Sequence, residues 1–186
     1  MDYLDIPSSK QLGASTPRDN RRLKVIASQE AQAILEALKA QDVPAWRLIR
    51  FAFLTGCRLS EGTNLRWGHI DQERKELIFT DTKNKSTRRL PLTQPLAELF
   101  TEIERRADDT CVFLNQRGGF YTKAPSAFVL VIADLGFNKG RGLRECLSFH
   151  SIRHTVASIL NLNLTQLTLR ELMDTMGWKT VAMAAR

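Results

Sequence analysis

The sequence predicts a mainly α-helical domain carrying one small antiparallel β-sheet, and three observations lead to it. Apolar residues recur at helical spacing on both sides of the chain's middle, beginning with Ala31, Ile34, Leu35 and Leu38. Around residues 76–92 the period changes to that of strands, in Glu76-Leu77-Ile78-Phe79-Thr80 and Thr87-Arg88-Arg89-Leu90-Pro91-Leu92. The polar run 81–86 between them fits a hairpin turn, which makes the pair antiparallel. With 186 residues, 43% hydrophobic and 25% charged, the chain is long enough to bury a real core and has the balance of a globular domain.

Residues 1–20 carry Pro7-Ser8-Ser9 and Gly13-Ala14-Ser15-Thr16-Pro17 with few large apolar side chains, and they read as a linker or tail ahead of a domain at 21–186. Such a start suggests a piece of a longer protein with another domain before it. A basic cluster follows: Arg18, Arg21, Arg22 and Lys24. Ser28 is a fitting N-cap for a helix over 28–39. Pro44 suits the first turn of a second helix that stops at Gly56. That helix is apolar on most sides (Trp46, Leu48, Ile49, Phe51, Ala52, Phe53, Leu54), so it belongs at the centre. A short third helix starts at Ser60 and carries Leu65 and Trp67 inward.

The sheet comes next, with a possible first strand at 69–71 and the hairpin at 76–92. A helix over 94–106, an extended piece at 111–114 and a Gly118-Gly119 loop follow. Helices over 125–135 and 149–162 flank a glycine-rich, basic loop at 136–142, and a last helix over 166–176 ends at Gly177-Trp178.

The 27 Lys and Arg outnumber the 20 Asp and Glu, for a net charge of +7, which favours a polyanionic partner. The three cysteines, Cys57, Cys111 and Cys146, are widely spaced and form no CxxC, so neither a disulfide framework nor a zinc site is indicated. No apolar run approaches the roughly 20 residues that span a bilayer, and the polar start lacks a signal peptide's basic and apolar regions. A cytoplasmic protein without membrane association is expected.

The chemistry concentrates in Phe149-His150-Ser151-Ile152-Arg153-His154-Thr155, where His150 and Arg153 stand three apart on one helical face. Far upstream, Thr55-Gly56-Cys57-Arg58-Leu59-Ser60-Glu61 supplies a second arginine, and the two together suggest a pocket that grips a phosphate. Guanidinium forks match phosphate oxygens bidentately. Rival readings of the same residues fail on particular positions. His150 and His154 have the spacing of a zinc-protease helix, but Ser151 stands where the water-activating glutamate belongs. Arg58 occupies the first glycine position of a GxSxG elbow around Ser60.

These stretches, with Leu65 and Trp67 after the first, Thr82-Lys83-Asn84-Lys85 leading to Leu90-Pro91-Leu92 in the hairpin, and His150-x-x-Arg153-His154-Thr155, resemble the catalytic domain of the tyrosine recombinases, the phage-integrase family. The likeness runs from about residue 20 to residue 186 and implies that family's catalytic-domain fold. It also implies that Arg58 and Arg153 clamp the scissile phosphate with His150 assisting, and that Lys83 at the hairpin tip protonates the leaving 5′ oxygen, Lys85 being the alternative. Glu61 resembles the acidic residue that holds the basic groups in place. Trp178 takes the position of the family's late histidine; an indole donates one hydrogen bond but shuttles no proton. Lys85, Arg88, Lys139 and Arg141 are further candidates for DNA contact.

The family's nucleophilic tyrosine corresponds to position 187, one beyond Arg186, and neither Tyr3 nor Tyr121 fits the role. The expectation is therefore a domain that ends just before its nucleophile. The activity implied is DNA cleavage and rejoining through a 3′-phosphotyrosine link in site-specific recombination, by a bacterial or phage-encoded protein that acts on double-stranded DNA with other protomers, as a tetramer. No metal, nucleotide or redox cofactor is required, and the sequence has no Walker A loop, GxGxxG or acidic metal cluster. The alternatives are a type IB topoisomerase, which uses nearly the same residues, and a DNA-binding relative without chemistry.

Overall fold

The computed structural model describes residues 25–81, 86–143, 145–162 and 169–177. The expected tail at 1–20, Lys83 and Lys85 at the hairpin tip, and Trp178 lie outside the described residues.

The helix expected at the centre is there. α2 (Val43–Thr55) starts from Asp42, whose Oδ1 accepts from the Ala45 amide at 2.9 Å, has a proline in its first turn and ends at Gly56 in the left-handed conformation. Ala45, Leu48, Ile49, Phe51 and Ala52 are fully buried, because α1 (Ser28–Gln41), α3 (Leu59–Thr63), α4 (Gln94–Thr101), α5 (Ser126–Asp134) and α6 (Phe149–Leu162) all pack against α2. Phe51 meets the rings of Phe79, Phe100 and Phe113 at centroid distances of 6.1, 6.0 and 4.9 Å.

β1 (Ile70–Asp71), β2 (Glu76–Asp81) and β3 (Ser86–Pro91) form an antiparallel sheet in that order, as expected. The register pairs Leu77 with Leu90 and Phe79 with Arg88. Alternation along a strand sends Leu77, Phe79 and Leu90 into the core, and Arg88 points the same way as Leu90. Arg89, one residue on, is exposed and pairs with Glu76 at 2.8 Å. α7 (Leu169–Met176) packs on α6 and on β3, so the sheet and the two last helices meet. Among the described residues no helix is long and apolar enough to cross a membrane.

Several boundaries differ from the expectation. α1 is capped from Ala27, whose amide donates to Glu30 Oε2 at 2.9 Å, so Ser28 is its first residue. α3 begins one residue before Ser60, and it ends at Thr63; Leu65 and Trp67 are buried from the segment after it, Trp67 in a short 3-10 turn. α4 stops at Thr101, five residues short of position 106. Ile103 donates back to Phe100 in a tight turn, Arg47 takes the Glu102 carbonyl, and only charged residues follow at 104–106. Cys57 and Cys111 are buried and all three cysteines are free. Burial pushes the Cys57 thiol up to about 11, which leaves it protonated and inert.

Candidate active site

The C-terminus of α2, the start of α3, β3, α6 and the C-terminus of α7 converge on one cluster of charge. Arg58 stands at the N-cap position of α3. Its backbone amide donates to Glu61 Oε2 at 2.7 Å, and its Nη1 donates to Glu61 Oε1 at 2.8 Å. Arg58 and Glu61 thus meet across the cap of α3. Glu61 Oε2 also accepts from Arg88 Nη2 at 2.8 Å. Arg88 therefore joins the cluster at 10% side-chain exposure, where a surface contact with DNA was expected of it. Its guanidinium lies 4.3 Å from the centre of the Phe79 ring.

Arg153, on α6, is 5% exposed. Its Nη1 donates to the Gly56 carbonyl at 2.7 Å and its Nη2 to the Met176 carbonyl. Gly56 is needed here. At φ +59 a side chain is strained, and a Cβ would lie 3.0 Å from Val156 Cγ1 and 3.2 Å from the Met176 thioether. The carbonyl presented by that turn holds the guanidinium of Arg153. Arg58 Nη2 donates to the Gly177 carbonyl at 3.2 Å and Arg88 Nη1 to the Thr175 carbonyl.

Electrostatically, three guanidiniums surround one carboxylate, so two positive charges are in surplus at one place. Burial alone would raise the Glu61 carboxyl; the charge and hydrogen bond of Arg88, then the amide and charge of Arg58, outweigh it and hold the group below the usual carboxylate range. Burial, followed by the charges of Arg58 and Arg88, brings the Arg153 guanidinium down to about 10, which still leaves it charged at neutral pH. Arg58 is the open member, with 43% of its side chain exposed. A cluster with surplus positive charge and one exposed fork suits a dianionic oxygen-rich group such as a phosphodiester in its transition state.

His150 lies one turn before Arg153 on α6. It is exposed, and its ring meets that of His154 edge-on with centroids 4.5 Å apart. The loop after α5 is folded around Asn138, whose Oδ1 accepts from the Leu147 amide at 2.6 Å. Within that loop Lys139 is exposed, whereas Arg141 is drawn into a pair with Glu30 at 2.8 Å. Tyr121 packs against the core with its hydroxyl buried and without a hydrogen-bond partner, and burial, then the charge of Asp42, raises its pKa. Among the described residues no group of His, Cys, Asp and Glu is placed to hold a metal ion.

Sequence reasoning missed Arg88 as a member of the cluster. The signal was available: it stands two residues before Leu90, in phase with the buried face of its strand.

The fold is thus a helical domain with a small antiparallel sheet that gathers arginines from distant segments around one carboxylate. The phage integrase family profile matches residues 24–186, and the chain belongs to that family. The tyrosine recombinase XerA of Pyrococcus furiosus is 25% identical over 138 residues, 73% of this chain and 47% of that protein. The chain spans about half the length of the curated relatives it matches. Several solved structures share the fold, among them two integrases. The Tn1549 transposon integrase, in complex with transposon right end DNA, superposes with a TM-score of 0.70 at 17% identity, over 89% of this chain and 61% of that one. The catalytic domain of bacteriophage HP1 integrase gives a TM-score of 0.65 at 22% identity, over 89% and 86%.

Proposed function

We propose that this domain holds the scissile phosphate of double-stranded DNA during strand cleavage and rejoining in site-specific recombination. The observation that carries the reading is the convergence of Arg58 and Arg153 with Glu61 and Arg88, in a chain that belongs to the phage integrase family. Arg58 and Arg153 neutralise the non-bridging oxygens, whose charge grows as phosphorus becomes five-coordinate. His150 assists from the exposed side of α6, and Trp178 donates one hydrogen bond.

The nucleophile is a tyrosine hydroxyl from outside residues 1–186. Its oxygen bonds to phosphorus as its proton is lost to solvent, the bond to the 5′ oxygen breaks, and that oxygen takes a proton from Lys83, or from Lys85. The product is a 3′-phosphotyrosine ester and a free 5′ hydroxyl. Attack by another strand's 5′ hydroxyl reverses the step on a new partner, and the ester's energy is kept in the covalent link. The whole protein works with other protomers, as a tetramer on DNA, in the cytoplasm of a bacterium or a phage-infected cell. Lys139 is an exposed candidate for backbone contact.

The test is a nicked suicide substrate, offered to the chain extended by a tyrosine-bearing segment after Arg186. A covalent protein–DNA adduct is expected. Arg58→Ala and Arg153→Ala should abolish it, Arg58 being the cleaner site because its side chain is the more exposed. An adduct that forms as fast in both variants as in the parent overturns the clamp. Relaxation of supercoiled DNA without recombined product identifies a topoisomerase instead.

A further inference from the structure

We propose that Arg88 is a positioning residue that docks the C-terminal end of α7 into the arginine cluster, tying the hairpin strand and the phosphate clamp to one point; this rests on the recombinase reading above.

The last carbonyls of a helix have no partner inside it and carry its negative end. Here three successive carbonyls are each taken by a different guanidinium: Thr175 by Arg88, Met176 by Arg153 and Gly177 by Arg58. Two of those donors are proposed to meet the phosphate, and Arg58 keeps a large exposed surface for it. Arg88 is built differently. One nitrogen serves Thr175, another serves Glu61, Nε is buried without a hydrogen-bond partner, and the guanidinium sits by the Phe79 ring. Its contacts are all internal to the fold, and they join β3, α3 and α7.

β3 is the strand that follows Lys83 in the chain, while Glu61 holds Arg58. Arg88 thus links the strand of the general acid, the carboxylate behind the clamp and the end of α7. Gly177 makes the approach possible. It lies at φ +61, and a Cβ there would sit 3.0 Å from Arg88 Cδ and 3.5 Å from Arg58 Nη1. Lysine does not substitute, since an ammonium on a flexible stem lacks the rigid fork that reaches Glu61 and Thr175 together.

Two measurements on Arg88→Lys decide the matter. In the 186-residue chain, amide hydrogen exchange across 169–177 should speed up at least about tenfold while α2 keeps its protection, as expected when a hydrogen bond to a charged group is lost. Unchanged exchange at 169–177 overturns the docking. In the tyrosine-bearing chain, single-turnover adduct formation should slow at least about tenfold, with DNA affinity and its salt slope as in the parent. A parent-like rate overturns the proposal, and so does a slope shallower by about one, which marks a phosphate contact.

Arg88→Gln supplies the same readouts if the lysine variant fails to fold. Arg89→Ala, on the exposed face of β3, should keep parent values. Combining Arg88→Gln with Glu61→Gln should slow the reaction no more than the worse single change, because the two act as one unit; additive losses count against it. If the parent chain itself forms no adduct, the recombinase reading fails, while the exchange measurement still judges the docking.

Discussion

Glu61 is the residue on which the charge balance of the cluster turns. Its carboxylate answers Arg58 and Arg88 at once, and without it three guanidiniums would face one another across a buried space. Because Glu61 is more acidic in the folded chain than in the unfolded one, its contribution to stability is present above the ordinary carboxylate range and is lost as pH falls through the folded value. The parent's urea midpoint should therefore drop on acidification below about pH 4, and Glu61→Gln should be less stable at pH 7 with a flatter profile over the same window. A variant profile parallel to the parent's counts against the assignment. At this scale the meeting of Arg58 and Arg153 was legible because each stands in a motif that is local in the chain. The partners of Arg153 were not: they are backbone carbonyls at Gly56 and Met176, which belong to every sequence alike and acquire a role only when two helix ends meet.

At the scale of elements, the site depends on α2, whose C-terminal turn presents Gly56 to Arg153 while its other faces fill the core. Its central place was readable from apolar residues on most sides, since a helix whose charged residues, Arg47 and Arg50, stand three apart keeps one narrow stripe for water and buries the rest. Where other elements stop was less readable. α4 ends early because tertiary contacts from Arg47 and Arg50 take up Glu102, a competition between segments more than 50 positions apart. Phe51 sits fully buried among three other rings, and its truncation leaves a cavity that rigid neighbours cannot fill. Phe51→Ala should cost about 3–5 kcal/mol in urea denaturation. A loss under about 1.5 kcal/mol would mean that the aromatic cluster collapses around the gap and that α2 is less central than its burial indicates.

For the whole molecule, charge has two parts that a salt titration separates. The excess of seven positive charges acts over the entire surface and draws any duplex, so the chain should bind DNA without strong sequence preference and release it steeply as salt rises. The cluster contributes differently: its surplus of two charges is focused at one exposed fork, and Arg88 and Arg141 are already committed to Glu61 and Glu30. Composition alone cannot distinguish committed arginines from available ones, because pairing is settled by which strands and helices come together. Each phosphate neutralised contributes about 0.9 to the slope of log K against log salt. Arg58→Ala should therefore flatten the slope by about one and weaken binding uniformly across sequences, while Arg141→Ala should leave the slope unchanged. If Arg141→Ala flattens it as much, its pair with Glu30 opens on DNA and the binding face extends to the loop after α5. If Arg58→Ala leaves the slope intact, the exposed fork is not where this domain meets the phosphate.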